Sequence, residues 1–131
     1  MLAQSGLRAL ASTGSITFIT GASSRKVTPG GSGYVAINGA LDLMVPTLAF
    51  ELAPVRVNAI SPGFVDTEWY SHVPKTKMEK AYADAARTLP VRRVGQSSDL
   101  AQAIVFVVAD NFVTGSVIEC DGGVRLIAPT S

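Results

Sequence analysis

The chain has 131 residues, 47% hydrophobic and 16% charged, with eleven Lys and Arg against ten Asp and Glu for a net charge of +1. This is the composition of one globular domain and not of a disordered tail, and the even charge leaves no basic footprint for nucleic acid or an anionic membrane. Cys120 and His72 are the single residues of their kinds, which excludes an intrachain disulfide and a Cys/His metal cluster; no metal site is expected.

The N-terminal MLAQSGLRALASTG has too weak an apolar segment for a secretory signal. The longest apolar runs, such as Ile104 to Ala109, fall far short of a membrane span, so the chain reads as cytoplasmic. Leu2 to Ser12 is expected as a short helix. Ser15 to Thr20, SITFIT, is β-branched, aromatic and uncharged, as in a central parallel strand covered on both faces.

The following ITGASS resembles the opening of a dinucleotide-binding glycine turn. In the spacing G-x-x-x-G-x-G, however, the later glycines would fall on Arg25 and Val27, whose side chains would block a pyrophosphate. Pro29, Gly30, Gly31 and Gly33 then make the segment a loop.

Tyr34 to Leu52 carries Ile37, Leu41, Val45, Leu48 and Leu52 at helical spacing, so these should face a sheet, leaving Met44 and Phe50 on exposed flanks. Pro46, inside that helix, should bend it and leave the Asp42 carbonyl without its helical donor. Arg56 to Ser61 reads as a second strand, stopped by Pro62-Gly63, and Val117 to Cys120 as a third, turned by Asp121-Gly122-Gly123. Between them, residues 64–95 form a mostly polar excursion with a helix at Met78 to Thr88, either a solvated helix or a lid over a site at the carboxyl ends of the strands. Ser97 or Ser98 should cap a last helix, Asp99 to Ala109. The fold class is α/β, a partial doubly wound parallel sheet of about three strands with flanking helices.

The strand and loop ending at Tyr34, the string RVNAISPGFVDT at 56–67 and VTGSVIECDGG at 113–123 together resemble the C-terminal half of the short-chain dehydrogenase/reductase family, over nearly the whole of residues 1–131. The resemblance implies an oxidoreductase that interconverts carbonyls and alcohols with NAD or NADP on a small-molecule substrate. GSITFIT would then be the strand that ends at the family's serine. Tyr34 falls on the tyrosine that passes a proton to or from the substrate oxygen. One turn later the family's lysine position holds Asn38, which can hydrogen-bond a ribose hydroxyl but carries no charge to lower a phenol pKa from about 10. Counting back from Tyr34 by the family's serine spacing lands on Gly21, with Thr20, Ser23 and Ser24 as the nearby hydroxyls and Ser23 the candidate. Pro62, Gly63, Val65 and Thr67 match the segment that holds the nicotinamide carboxamide.

No part of the chain matches the family's adenine and pyrophosphate strands, which implies weak activity and an unpaired apolar edge on the first strand. A homo-oligomer, or a complex with a chain that supplies the missing strands, is therefore expected. The alternative function is a non-catalytic association module that keeps the helices used for subunit contact.

Overall fold

The computed structural model describes residues 5–127. Three parallel strands form one sheet in the order β1-β2-β5: β1 (Ser15–Ile19), β2 (Arg56–Pro62) and β5 (Val117–Cys120). β1 runs in register with β2 from Ser15 opposite Arg56 to Ile19 opposite Ile60, and β5 pairs the other edge of β2 from Ala59–Val117 to Pro62–Cys120. The central strand is thus β2, whose residues 57–61 are all buried. β1, central by its composition, lies at the edge of this sheet, with the unpaired edge that the resemblance implied, and is only half-buried, with Ile19 50% exposed. Its apolar composition answers to two covered faces, which sequence alone cannot distinguish from two paired edges.

Three helices accompany the sheet: α1 (Ser32–Glu51), α2 (Lys75–Thr88) and α3 (Ser97–Ala109). Strand alternation puts Arg56 and Cys120 on one face and Glu119 on the other. Arg56 donates to the carbonyls of Val107 and Val108 at the end of α3 at 2.9 and 3.0 Å, where a cation complements the helix dipole. Glu119 is tied through Arg25 to Asp42 of α1. α1 and α3 therefore cover opposite faces of β2. The buried Asn58 is satisfied by the turn before β5, donating to the Val113 carbonyl at 2.9 Å and accepting the Ser116 N–H at 3.1 Å.

Several expectations need correction. Leu2 and its neighbours to residue 4 lie outside the described residues; of the expected N-terminal helix, residues 5–6 are α-helical and pass into a 3-10 turn at Leu7–Ala9 that runs out in extended backbone at Leu10, short of Ser12. The loop after β1 contains a 3-10 turn, Ala22–Arg25. α1 runs as one helix through Pro46, which has no N–H to give the Asp42 carbonyl, as expected. Its inward row is Asn38, Asp42 and Val45 and not one that includes Ile37, which is 64% exposed. Phe50 is 87% exposed as expected, whereas Met44 is half-buried and Leu43 takes its place on the open flank. α1 is also long and apolar enough, by length and composition, to cross a bilayer, although Val45 is fully buried and the helix packs on β2.

The cap of α3 is Gln96 and not Ser97 or Ser98. Its N–H donates to the Asp99 carboxylate at 2.7 Å in a reciprocal capping box, and Arg93 grips the same carboxylate at 2.6 and 2.8 Å. These contacts, the Arg93 bond foremost, lower the Asp99 carboxyl from 3.8 to about 2.

Candidate active site

The register of β1 on β2 makes the segments that leave both strands emerge at the same end of the sheet, and the Thr20 N–H extends the ladder by donating to the Ile60 carbonyl at 2.9 Å. From β1 the chain enters Ala22–Arg25, then loops back into α1. From β2 it passes Pro62 and Gly63 into β3 (Val65–Asp66). This carboxyl end of a parallel sheet is where α/β folds place ligands.

Tyr34, Asn38 and Asp42 succeed one another by single turns along one side of α1. Exposure falls along the row: Tyr34 is 66% exposed, Asn38 half-buried and Asp42 buried. The segment after β1 lies along it. Asn38 Nδ2 donates to Ser23 Oγ at 2.9 Å. Ser24 Oγ donates to Asp42 Oδ2 at 2.6 Å. Ser23 and Asn38 are thus in contact, with Tyr34 one turn further toward solvent. Gly21 is next to the same amide, since a Cβ there would sit 3.2 Å from Asn38 Nδ2.

The second group gathers at the end of β2. Gly63 donates its N–H to the Cys120 carbonyl at 3.2 Å and presses on the next residue so closely that a Cβ would fall 2.5 Å from the Asp121 carbonyl oxygen and 2.7 Å from its Cα. Only glycine permits this approach. Val65 is buried in β3, and Thr67 follows with an extended backbone and no capping bond from its side chain. The Asp121 carboxyl is held low: burial pushes it up, but the Gly123 and Arg125 N–H groups and the Arg125 guanidinium outweigh this.

The 64–95 excursion leaves β3, crosses a 3-10 turn (Glu68–Tyr70) and α2, and returns as β4 (Gly95–Gln96), which pairs β3 in parallel. Phe64 clamps it through ring contacts with Tyr70 and Tyr82 at 5.4 and 5.5 Å. Tyr82 donates to Asp66 Oδ1 at 2.5 Å, a bond that pushes its phenol up to about 12. A cavity of about 260 Å³ lies beneath, lined by Phe64, Val65, Leu89, Val91 and Cys120 among others. Burial raises the Cys120 thiol, and its sulfur points to the Asp99 carbonyl at 3.7 Å. This suits a packing role better than a nucleophile.

Sequence reasoning passed over Arg25, Asp42 and Glu119. The signal was a lone acid in the apolar stretch of α1, one turn after Asn38, and another between Ile118 and Cys120 in an apolar strand. Acids in such places are seldom buried without a partner.

A family model described as Enoyl-(Acyl carrier protein) reductase matches residues 1–125. The chain belongs to the short-chain dehydrogenase/reductase family. Among family members, the short-chain dehydrogenase/reductase ATR9 of Stachybotrys chlorohalonatus is 37% identical over 112 residues, covering 86% of this chain and 44% of that protein. The 3-oxoacyl-[acyl-carrier-protein] reductase FabG of Thermotoga maritima is 39% identical over 99 residues, 72% of this chain and 39% of that one. A crystal structure of a small-chain dehydrogenase in complex with NADPH superposes with a TM-score of 0.92 at 43% identity, covering 95% of this chain and 57% of the other. The chain spans about half or less of the length of these curated family relatives.

Proposed function

We propose that the chain forms the substrate-facing half of a nicotinamide-dependent oxidoreductase acting on a small carbonyl or alcohol. The Asn38–Ser23 bond carries this reading: it joins two of the three polar groups assigned here to the reaction, and the third, Tyr34, stands one turn before Asn38 on the same helix. In the reducing direction the Tyr34 hydroxyl gives its proton to the substrate oxygen. Ser23, still able to donate its own hydroxyl hydrogen while accepting from Asn38, polarises that oxygen. Asn38 holds Ser23 with its Nδ2 and has Oδ1 left for a ribose hydroxyl.

NAD or NADP, when bound, supplies or accepts the hydride at the carbonyl carbon. The residues present fit its nicotinamide end. Thr67 makes no side-chain hydrogen bond among the described residues, and Pro62, Gly63 and Val65 form a wall stiffened by the Gly63–Asp121 contact. Asn38 contributes no charge, so the proton relay is weak, and a cofactor held only at its nicotinamide end is poorly positioned. This chain by itself should therefore be a slow catalyst. Titration with NADPH and then NADH, followed by nucleotide fluorescence, tests the reading: saturable binding supports it and a flat response defeats it.

The exposed Leu43 and Phe50 on one flank of α1, together with Ile19 at the sheet edge, favour a second reading, a non-catalytic association module that forms a homo-oligomer. Light scattering over a dilution series decides it, and a monodisperse folded monomer at micromolar concentration rules it out.

A further inference from the structure

Two carboxylates lie beneath the Ser23–Asn38 contact, one from α1 and one from β5. The side chains of Asp42 and Glu119 are only 6% and 13% exposed. A single guanidinium serves both: Arg25 Nε lies 3.7 Å from Asp42 Oδ2, and its Nη1 meets Glu119 Oε1. Asp42 Oδ1 and Glu119 Oε2 are buried and without hydrogen-bond partners. With two carboxylates to one cation, Arg25 is the group that makes their burial tolerable, since a buried charge stripped of its partner is strongly unfavourable.

A surface ion pair would fix little, but this one joins three elements far apart in sequence. Arg25 ends the 3-10 turn that carries Ser23 and Ser24. Asp42 is one turn along α1 from Asn38. Glu119 is two residues before Asp121, the residue against which Gly63 is wedged.

We propose that Arg25 is a positioning residue that sets the Ser23–Asn38 contact by bridging Asp42 and Glu119, and so holds the proton-relay corner in register with the Gly63 corner. The proposal rests on the reading of Ser23, Tyr34 and Asn38 as the reacting corner. It is tested in the full chain by nuclear magnetic resonance of the Asn38 side-chain amide, which senses the bond to Ser23 Oγ, and of the Ser24 N–H, which donates to the Gly21 carbonyl at 3.2 Å.

The informative variant combines Arg25→Met with Asp42→Asn and Glu119→Gln, so that no carboxylate is left buried and unpaired and the fold is spared. Ser23→Ala supplies the reference for an unbonded Asn38 amide. In the folded triple variant the Asn38 amide resonances should move to their Ser23→Ala positions, and the Ser24 amide should exchange about tenfold faster. Unchanged resonances and exchange in that variant overturn the proposal. Should the triple variant not fold, Arg25→Lys is read the same way: its compact ammonium cannot span both acids, and an unmoved Asn38 amide is again the refuting result. Failure of the wild-type chain to bind nicotinamide nucleotides would defeat the oxidoreductase reading and leave this resonance test to decide the bridge.

Discussion

Replacing Gly63 with alanine tests the wall at the second candidate corner. The new Cβ would lie 2.5 Å from the Asp121 carbonyl oxygen, 2.7 Å from its Cα and 2.9 Å from its carbonyl carbon. These are backbone atoms, so no side-chain rotation relieves the clash. Asp121 itself cannot retreat freely: it is 5% exposed, and its carboxylate is bonded to the Gly123 and Arg125 N–H groups and to the Arg125 guanidinium. The strands must part, which strains the Gly63–Cys120 bond at the end of the β2–β5 ladder. Overpacking in well-packed regions costs about 1–3 kcal/mol, and backbone contacts this short belong at the upper end, about 3 kcal/mol. For a chain of this size that lowers the thermal midpoint by roughly 10 °C. Circular dichroism melts of wild type and variant at equal concentration give the answer. A midpoint within about 2 °C of wild type would refute the reasoning, since it would mean that the packed backbone yields at almost no cost.

Gly39 is the opposite case. It lies inside α1 with nothing within 4 Å of the point where a Cβ would stand, so Gly39→Ala should stabilise the chain by about 0.5–1 kcal/mol in a urea melt. The Asp99 carboxyl, lowered from 3.8 to about 2, should report on the α3 cap. A group depressed in the folded state adds stability that is present above its unfolded value near 3.8 and is lost as pH falls through about 2. Carboxyl resonances followed from neutral to acid pH should therefore show Asp99 titrating near 2, and a midpoint near 4 would contradict the capping geometry. The double variant Asn38→Lys with Gly21→Ser should give no strong turnover of a generic ketone by this chain, because a restored relay does not restore cofactor positioning. Robust turnover would overturn that.

Much of the fold was legible because burial leaves a periodic record. β2 and β5 stand out as apolar runs bounded by Pro62-Gly63 and Asp121-Gly122-Gly123, and α1 by its helical spacing. What stayed hidden depends on pairing and not on pattern. β3 and β4 are two residues each, too short for any alternation, and exist because Val65 meets Gly95 across the excursion. Glutamine is not a favoured cap, so Gln96 yields its signal only through Asp99, whose place in the first turn also suits the helix dipole. In the site, Tyr34 and Asn38 could be placed by spacing on one helix. Ser23 was the candidate among three hydroxyls, but its contact with Asn38 depends on the 3-10 turn, and the bridge from Arg25 to Glu119 joins residues whose separation in sequence gives no local cue.

The row along α1 also says why a lysine is not simply interchangeable with Asn38. Its ammonium would stand one turn from Asp42, in the spacing at which opposite charges on a helix attract, and Asp42 already has a buried oxygen without a donor. The helix thus presents a lysine with a rival: the phenol of Tyr34 on the wet side, a half-satisfied carboxylate on the dry side. A neutral amide takes no part in that contest. A lysine at position 38 is therefore to be read together with Asp42, by whether its ammonium turns to the carboxylate or to the phenol.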